Sequence, residues 1–159
     1  MSTTPIASGS AIQLERQTAV GTIAICLSSE LRRFSKRHGQ DPVTKLALEL
    51  DSERSDLILA VDTAHTPGWQ VASFRYPRVA TLHQRPEWPP VAATVRIGGP
   101  RARAWFVDAV CVALLSLRSI GALDELRPAP AFEVLVLDRG EAVEVARARL
   151  ASLSAVIGV

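Results

Sequence analysis

Cysteine is scarce in this sequence, and long apolar runs are missing. The chain has 159 residues and two cysteines, Cys26 and Cys111, each within an apolar stretch of helical character. Two isolated cysteines form neither a disulfide framework nor a zinc site, so we predict two reduced core residues. The longest apolar stretch, residues 104–117, is too short for a membrane helix and contains Asp108. We therefore expect a soluble protein without a membrane partner.

The amino terminus shows no secretory features. Residues 1–9 are small and polar, and they lack the basic and apolar regions of a signal peptide. A chain of this length fits one domain. We expect a cytoplasmic protein in which residues 1–9 are a flexible tail and residues 10–159 form a single domain.

No charge of one sign dominates the composition. There are 18 basic and 16 acidic residues, which gives a formal net charge of +2. The basic run within residues 32–38 falls in the last turns of a predicted helix, where cations complement the helix partial charge. A nucleic-acid-binding domain is expected to show a strong basic stripe or a recognised motif, and neither is visible. We therefore predict no nucleic-acid partner.

The sequence carries no recognisable catalytic, metal-binding or cofactor-binding motif. Its three histidines, His38, His65 and His83, lack the spacing of metal ligands. Gly98 and Gly99 precede a predicted helix, but the phosphate-loop spacing is missing, so a plain turn is favoured. We predict no catalytic residue, no metal and no cofactor.

Apolar periodicity predicts an α+β domain. The predicted helices cover about residues 10–38, 100–120 and 141–155, and the predicted strands cover residues 43–51, 57–62, 71–76, 91–97 and 132–138. Ser10 and Gln13 have the spacing of a capping box at the first helix. Regular strand–helix–strand alternation is absent, so we predict a mostly antiparallel sheet backed by helices. The second helix is apolar nearly all round, which predicts a buried central helix.

An aromatic and arginine-rich segment, residues 69–88, is the favoured candidate for an interaction surface. Trp, Tyr and Arg dominate protein–protein hot spots because they bury large areas at low entropic cost. Alternatively, these aromatics only fill the core from an irregular loop. The residues predicted to bind a partner are Trp69, Phe74, Arg75, Tyr76, Arg78, Arg85 and Trp88.

Three polar residues suggest a different kind of site. Asp62 ends a predicted strand three residues before His65, and an aspartate can orient a histidine for proton transfer. Asp108 interrupts an apolar helix, where a carboxylate is costly unless it is paired. A turn formed by Asp62 and a structural bond from Asp108 are the alternatives.

Several short segments together resemble a known family. In chain order they are residues 34–39 (FSKRHG), 61–63 (VDT), 68–69 (GW), 74–77 (FRYP), 113–123 (ALLSLRSIGAL) and 134–138 (VLVLD). In order and spacing they resemble the bacterial domain-of-unknown-function family numbered 4303, over about residues 15–155. The resemblance carries over no catalytic residue. It implies a small bacterial accessory protein, similar to the immunity proteins of polymorphic toxin systems.

Two functions follow as hypotheses. The first is a non-enzymatic bacterial binding protein, of the immunity type, that neutralises a toxin through the aromatic segment. The second is a small enzyme or ligand-binding domain with a pocket between the sheet and the central helix. The second hypothesis requires Asp62, His65 and Asp108 to converge on one cavity.

Overall fold

The computed structural model describes the backbone of residues 7–158 and the side chains of residues 16–158. Four helices and four strands follow one another along the chain. They are α1 (Ala7–His38), β1 (Val43–Asp51), β2 (Asp56–Asp62), β3 (Tyr76–Thr81), α2 (Pro89–Ile97), α3 (Gly99–Ser119), β4 (Pro128–Asp138) and α4 (Val143–Ile157). No helix in this described part is long and apolar enough to cross a membrane.

The four strands form one mixed sheet in the order β3-β2-β1-β4. β2 pairs antiparallel with both β1 and β3, whereas β4 pairs parallel with β1. α2 and α3 carry the chain from β3 at one edge of the sheet to β4 at the other edge, where β4 can pair parallel with β1. The predicted α+β class with a mostly antiparallel sheet is confirmed.

One face of the sheet carries the main core. Alternate β1 residues Leu46, Leu48 and Leu50 point to this face and are completely or almost completely buried. They pack against α1 and α3 in one continuous apolar cluster that includes Ile23 and Phe106. The alternation read from the sequence of β1 therefore predicts its buried face correctly.

The second face of the sheet is only partly covered. Ala47 of β1 and Ala60 of β2 are buried beneath Phe74, which belongs to the loop between β2 and β3. Ala146 of α4 and Leu137 of β4 belong to the same cluster. This loop and α4 leave uncovered the end of the second face that lies next to the β1–β2 hairpin.

The segment from residue 63 to 100 differs from the prediction. Residues 91–97 are helical rather than a strand, because Pro89 and Pro90 occupy the first helical positions and Val91 and Val95 fall on one buried face. The predicted strand at residues 71–76 is a 3-10 turn over Val71–Ser73, and the strand begins at Tyr76. β-branched residues at a spacing of four suit a short amphipathic helix as well as a strand.

The central helix α3 is largely buried, as predicted. Ten of its residues are buried, in a helix of 21 residues. The expectation that Asp108 lies in an apolar environment is wrong, because the side chain is exposed on the solvent-facing stripe of α3. The free-energy cost of burying a carboxylate therefore does not arise.

The amino-terminal boundary is described only in part. α1 begins at Ala7, so residues 7–9 of the expected tail are helical. The other tail residues, 1–6, lie outside the described residues. The capping box of Ser10 and Gln13 concerns side chains that also lie outside them.

Both cysteines are buried and unpaired, as predicted. Burial raises the pKa of Cys111 to about 12 and also raises the pKa of Cys26. Both thiols are therefore protonated near neutral pH, and protonated thiols are poor nucleophiles.

Two glycines, one inside α1 and one between α2 and α3, are expected to respond oppositely to substitution by alanine. At Gly21, a Cβ meets no heavy atom within 4 Å, so Gly21→Ala should stabilise the fold by about 1 kcal/mol through helix propensity. At Gly98, between α2 and α3, a Cβ would lie 2.3 Å from the Cβ of Ala102. Gly98→Ala should therefore cost about 2 kcal/mol. Urea denaturation measures both changes in the free energy of unfolding. A stabilised Gly98→Ala variant would contradict the close packing of Gly98 against Ala102.

Candidate functional site

The structure divides the predicted aromatic surface into buried and accessible residues. Trp88 is 1% exposed, and its indole N–H donates a hydrogen bond of 2.9 Å to the carbonyl of Ser55. Phe74 is also buried. The prediction that these two side chains contact a partner is wrong, because both already fill the core. Trp69 is half-buried and remains partly accessible.

Asp62 organises the loop between β2 and β3. Its buried carboxylate accepts hydrogen bonds from the backbone N–H groups of Ala64, Thr66 and Arg75, and from the hydroxyl of Thr66. Burial alone would raise the pKa of Asp62, but these hydrogen bonds outweigh it and lower the pKa below its ordinary value. Asp62 therefore acts as an ionised structural centre for the loop.

The three polar residues of the second hypothesis are not brought together. The Asp62 side chain points to the second face of the sheet, whereas α3, which carries Asp108, covers the opposite face. His65 is exposed and adopts a positive φ of 55°. Fully buried side chains such as Leu48 and Phe106 fill the space between sheet and central helix, where the sequence hypothesis expected a pocket. These three residues therefore do not form the shared site that the second hypothesis requires, and the ligand-binding hypothesis itself stays a prediction.

A groove with an apolar floor lies between α1 and the end of α3. We call it the basic groove; its volume is about 730 Å³. Ile25 and Ile120 contribute large apolar side chains that are 64% and 77% exposed. Four cations stand around this floor. The groove is lined by Ala24, Ile25, Ser28, Ser29, Arg32, Arg33, Lys36, Arg85, Leu117 and Ile120.

A smaller cleft of about 290 Å³ adjoins the basic groove, and Arg33 lines both. We call it the tyrosine cleft. Tyr76 lies against His38 at 4.5 Å between ring centroids, and against the edge of Phe34 at 5.1 Å. The guanidinium of Arg75 lies 5.9 Å from the centroid of the Tyr76 ring. This stack holds the C-terminal end of α1 against β3.

The charges around these two depressions are strongly unbalanced. Their lining includes seven lysine and arginine side chains and one carboxylate, that of Glu30. Glu30 is buried and is bound by Arg85 at 3.0 Å and Arg33 at 3.7 Å. No ion pair to a described residue is formed by Lys36 or Arg37. A net charge of only +2 therefore coexists with one markedly basic face.

Sequence reasoning missed this basic face. Arg75, Tyr76, Arg78 and Arg85 were predicted to bind a partner, and all four line the basic groove or the tyrosine cleft. The basic run of α1 supplies the rest of the face. The high density of basic residues within residues 32–38 was the available signal. Cations are also common at a helix C-terminus, where they complement the helix partial charge, so this signal did not distinguish the two explanations.

The chain matches no known family model, no curated protein and no solved structure. The resemblance to the domain-of-unknown-function family stays an expectation. Among the described residues, no group of three or more His, Cys, Asp or Glu side chains is arranged to hold a metal ion.

Proposed function

We propose that this chain is a non-enzymatic binding protein that recognises an acidic protein partner through the basic groove and the tyrosine cleft. The observation that carries the proposal is the combination of an exposed apolar floor, Ile25 and Ile120, with a rim of cations. Exposed apolar side chains that line one groove and are rimmed by polar residues are a feature of protein interaction sites. The rim sets the charge of the partner, because electrostatic complementarity guides docking.

The apolar floor favours a protein over a nucleic acid. A phosphate backbone is bound by cations on a polar surface and gains little from exposed isoleucines. Protein interfaces have an apolar centre surrounded by a polar rim, and arginine is enriched in them. The basic groove has this arrangement, with Ile25 and Ile120 on the floor and Arg32 and Lys36 beside them.

Arg85 anchors the floor of the interface to the fold. Its guanidinium binds the carboxylates of Glu30 and Glu87 and donates to the hydroxyl of Ser29. Hydrogen bonds with Glu87 and Glu30 raise its pKa, so it is charged at any physiological pH. Lys36 and Arg37 are exposed, which makes them the cations freest to pair with a partner.

The resemblance to an immunity-like bacterial family supports a narrower hypothesis. The acidic partner is then a bacterial toxin, and binding masks the surface that the toxin needs for its activity. An acidic binding face on the toxin is the property that the basic groove requires of it.

The proposal predicts that reversing two free cations weakens partner binding. Lys36→Glu with Arg37→Glu should raise the Kd for the partner about tenfold, or about 1.4 kcal/mol, because the rim then repels acidic residues. The partner is first captured from host lysate by the tagged protein and identified by mass spectrometry. Purified partner is then titrated calorimetrically at several salt concentrations, and the variant should show the weaker salt dependence.

The matched control is a second reversal away from this face. Arg101 and Arg103 are exposed on the first turns of α3, and neither lines the basic groove or the tyrosine cleft. Arg101→Glu with Arg103→Glu should leave the Kd unchanged. Equal binding by both double variants would refute the proposed surface, and so would a captured partner that disappears after nuclease treatment.

A further inference from the structure

A third depression lies on the uncovered part of the second sheet face, on the hairpin side of the sheet. We call it the sheet groove; its volume is about 610 Å³. A volume of this order is typical of small-ligand sites in proteins. Its floor is made by β1, β2 and β4, and its apolar lining includes Ile58, Trp69, Leu137 and Val143.

Glu49 stands in the floor of the sheet groove without a partner. It lies in the central part of the sheet, directly paired with Ile58 of β2 on one side and Leu137 of β4 on the other. Its side chain is half-buried between these apolar neighbours, and it makes no hydrogen bond or ion pair with any described residue. A partly desolvated carboxylate in such surroundings is stabilised by a cation.

The cations that line the sheet groove are largely committed elsewhere. Arg54 and Arg139 both bind Asp51, at 3.7 Å and 3.0 Å. Arg78 lines the groove from β3 and pairs with no acid among the described residues, but it lies at the exposed wall. Lys45, which lies on the same face of β1 as Glu49, is also engaged in other contacts. Its ammonium group donates to the carbonyls of Thr66 and Gly68.

Trp69 supplies an aromatic wall that is held in place. The ammonium group of Lys45 lies 5.7 Å from the centroid of the Trp69 ring and ties its loop to β1. The ring also packs at 5.9 Å from that of Phe74. An aromatic wall beside a carboxylate is the arrangement that favours organic cations, because the ring face and the carboxylate both attract positive charge.

We propose that the sheet groove binds an alkyl cation, with its guanidinium or ammonium head on Glu49 and its apolar stem against Trp69 and Leu137. The head satisfies the unpaired carboxylate, and the stem covers apolar surface that the fold leaves exposed. A free amine and an arginine or lysine side chain of a peptide share this chemistry. The sheet groove shares no lining residue with the basic groove and shares only Arg78 with the tyrosine cleft, so a change at Glu49 tests this proposal without altering the surface of the proposed function.

Isothermal titration calorimetry of the whole protein tests the site with three probes. Agmatine represents a free alkyl cation, N-acetyl-arginine amide represents a peptide side chain, and N-butylurea has a similar neutral head. One or both cationic probes should bind with a 1:1 stoichiometry, and N-butylurea should not bind. The cationic probe that binds more tightly identifies the source of the ligand.

Three variants test whether Glu49 binds the cationic head of the probe. Glu49→Gln keeps the shape of the side chain and should weaken binding about tenfold. Glu53→Gln removes an exposed carboxylate outside the groove and should have no effect. Arg78→Gln should strengthen binding, because it removes the one lining cation without an acidic partner. Circular dichroism of each variant verifies that it is folded.

The proposal is overturned by any of three results. The first is that neither cationic probe binds the wild-type protein at millimolar concentration. The second is that Glu49→Gln binds as well as wild type. The third is that only Arg78→Gln binds, which would mean that Arg78 already neutralises Glu49 in solution.

Discussion

Replacing Trp88 by Ala is expected to destabilise the protein by about 4 kcal/mol, among the largest effects of any single substitution. The side chain is among the largest that are fully buried, and its ring packs at 6.1 Å from that of Phe106 in α3. Its indole N–H also satisfies the carbonyl of Ser55, in the hairpin between β1 and β2. Loss of Trp88 thus opens a cavity and leaves a buried acceptor unpaired. Chemical denaturation followed by circular dichroism measures the change.

Two comparison variants separate packing from hydrogen bonding. Trp88→Phe keeps most of the apolar volume and loses the hydrogen bond to Ser55, so about 2 kcal/mol should remain as its cost. Trp69→Ala removes a half-buried ring and should cost less than Trp88→Ala. If Trp88→Ala left stability unchanged but abolished partner binding, the interface role suggested by the sequence would be restored.

Replacing Asp62 by Ala is expected to cost about 3 kcal/mol, because one carboxylate accepts four hydrogen bonds in the loop that follows β2. Its removal leaves the N–H groups of Ala64, Thr66 and Arg75 without their acceptor. The loop carries Trp69 and Phe74, so its loosening also uncovers the second sheet face. Chemical denaturation at neutral pH measures the loss, and hydrogen exchange of the loop amides locates it.

The Asp62 contribution should depend on pH in a defined direction. The folded-state pKa of Asp62 lies below the ordinary aspartate value of about 3.9, so the unfolded state binds the proton more readily. The stabilising contribution is therefore complete above that ordinary value and is lost as the pH falls through the folded-state pKa. Wild type and Asp62→Ala should converge in stability in acid. A difference that stays constant down to pH 2 would contradict an ionised Asp62.

The strands and the main core follow from local sequence patterns. Leu46, Leu48 and Leu50 alternate with more polar residues, and this alternation places one face of β1 in the core. The apolar character of residues 104–117 likewise predicts the central position of α3. In both elements the apolar pattern itself spans only consecutive residues, so the buried face can be read from the sequence even though the residues that cover it are distant in the chain.

Two periodicities compete in the segment from residue 63 to 100, so its sequence does not distinguish a strand from a helix. Val91 and Val95 fit a short strand by residue type and a helix by spacing, and the two prolines before them decide for the helix. The residue type of Trp88 is likewise compatible with either a protein interface or a buried core. Its burial depends on Phe106 and Ser55, which are distant in the sequence.

The sequence by itself determined the α+β class, the buried cysteines and the order of most elements. The tertiary structure alone decided that β4 runs parallel to β1, and that Trp88 belongs to the core. It also brought the basic run of α1 next to Arg75 and Arg78, and left Glu49 unpaired in the sheet groove. The physical reason is that periodicity reports which face of an element is buried, whereas a site is formed by side chains on different elements. Their proximity is decided only when helices and strands pack against one another.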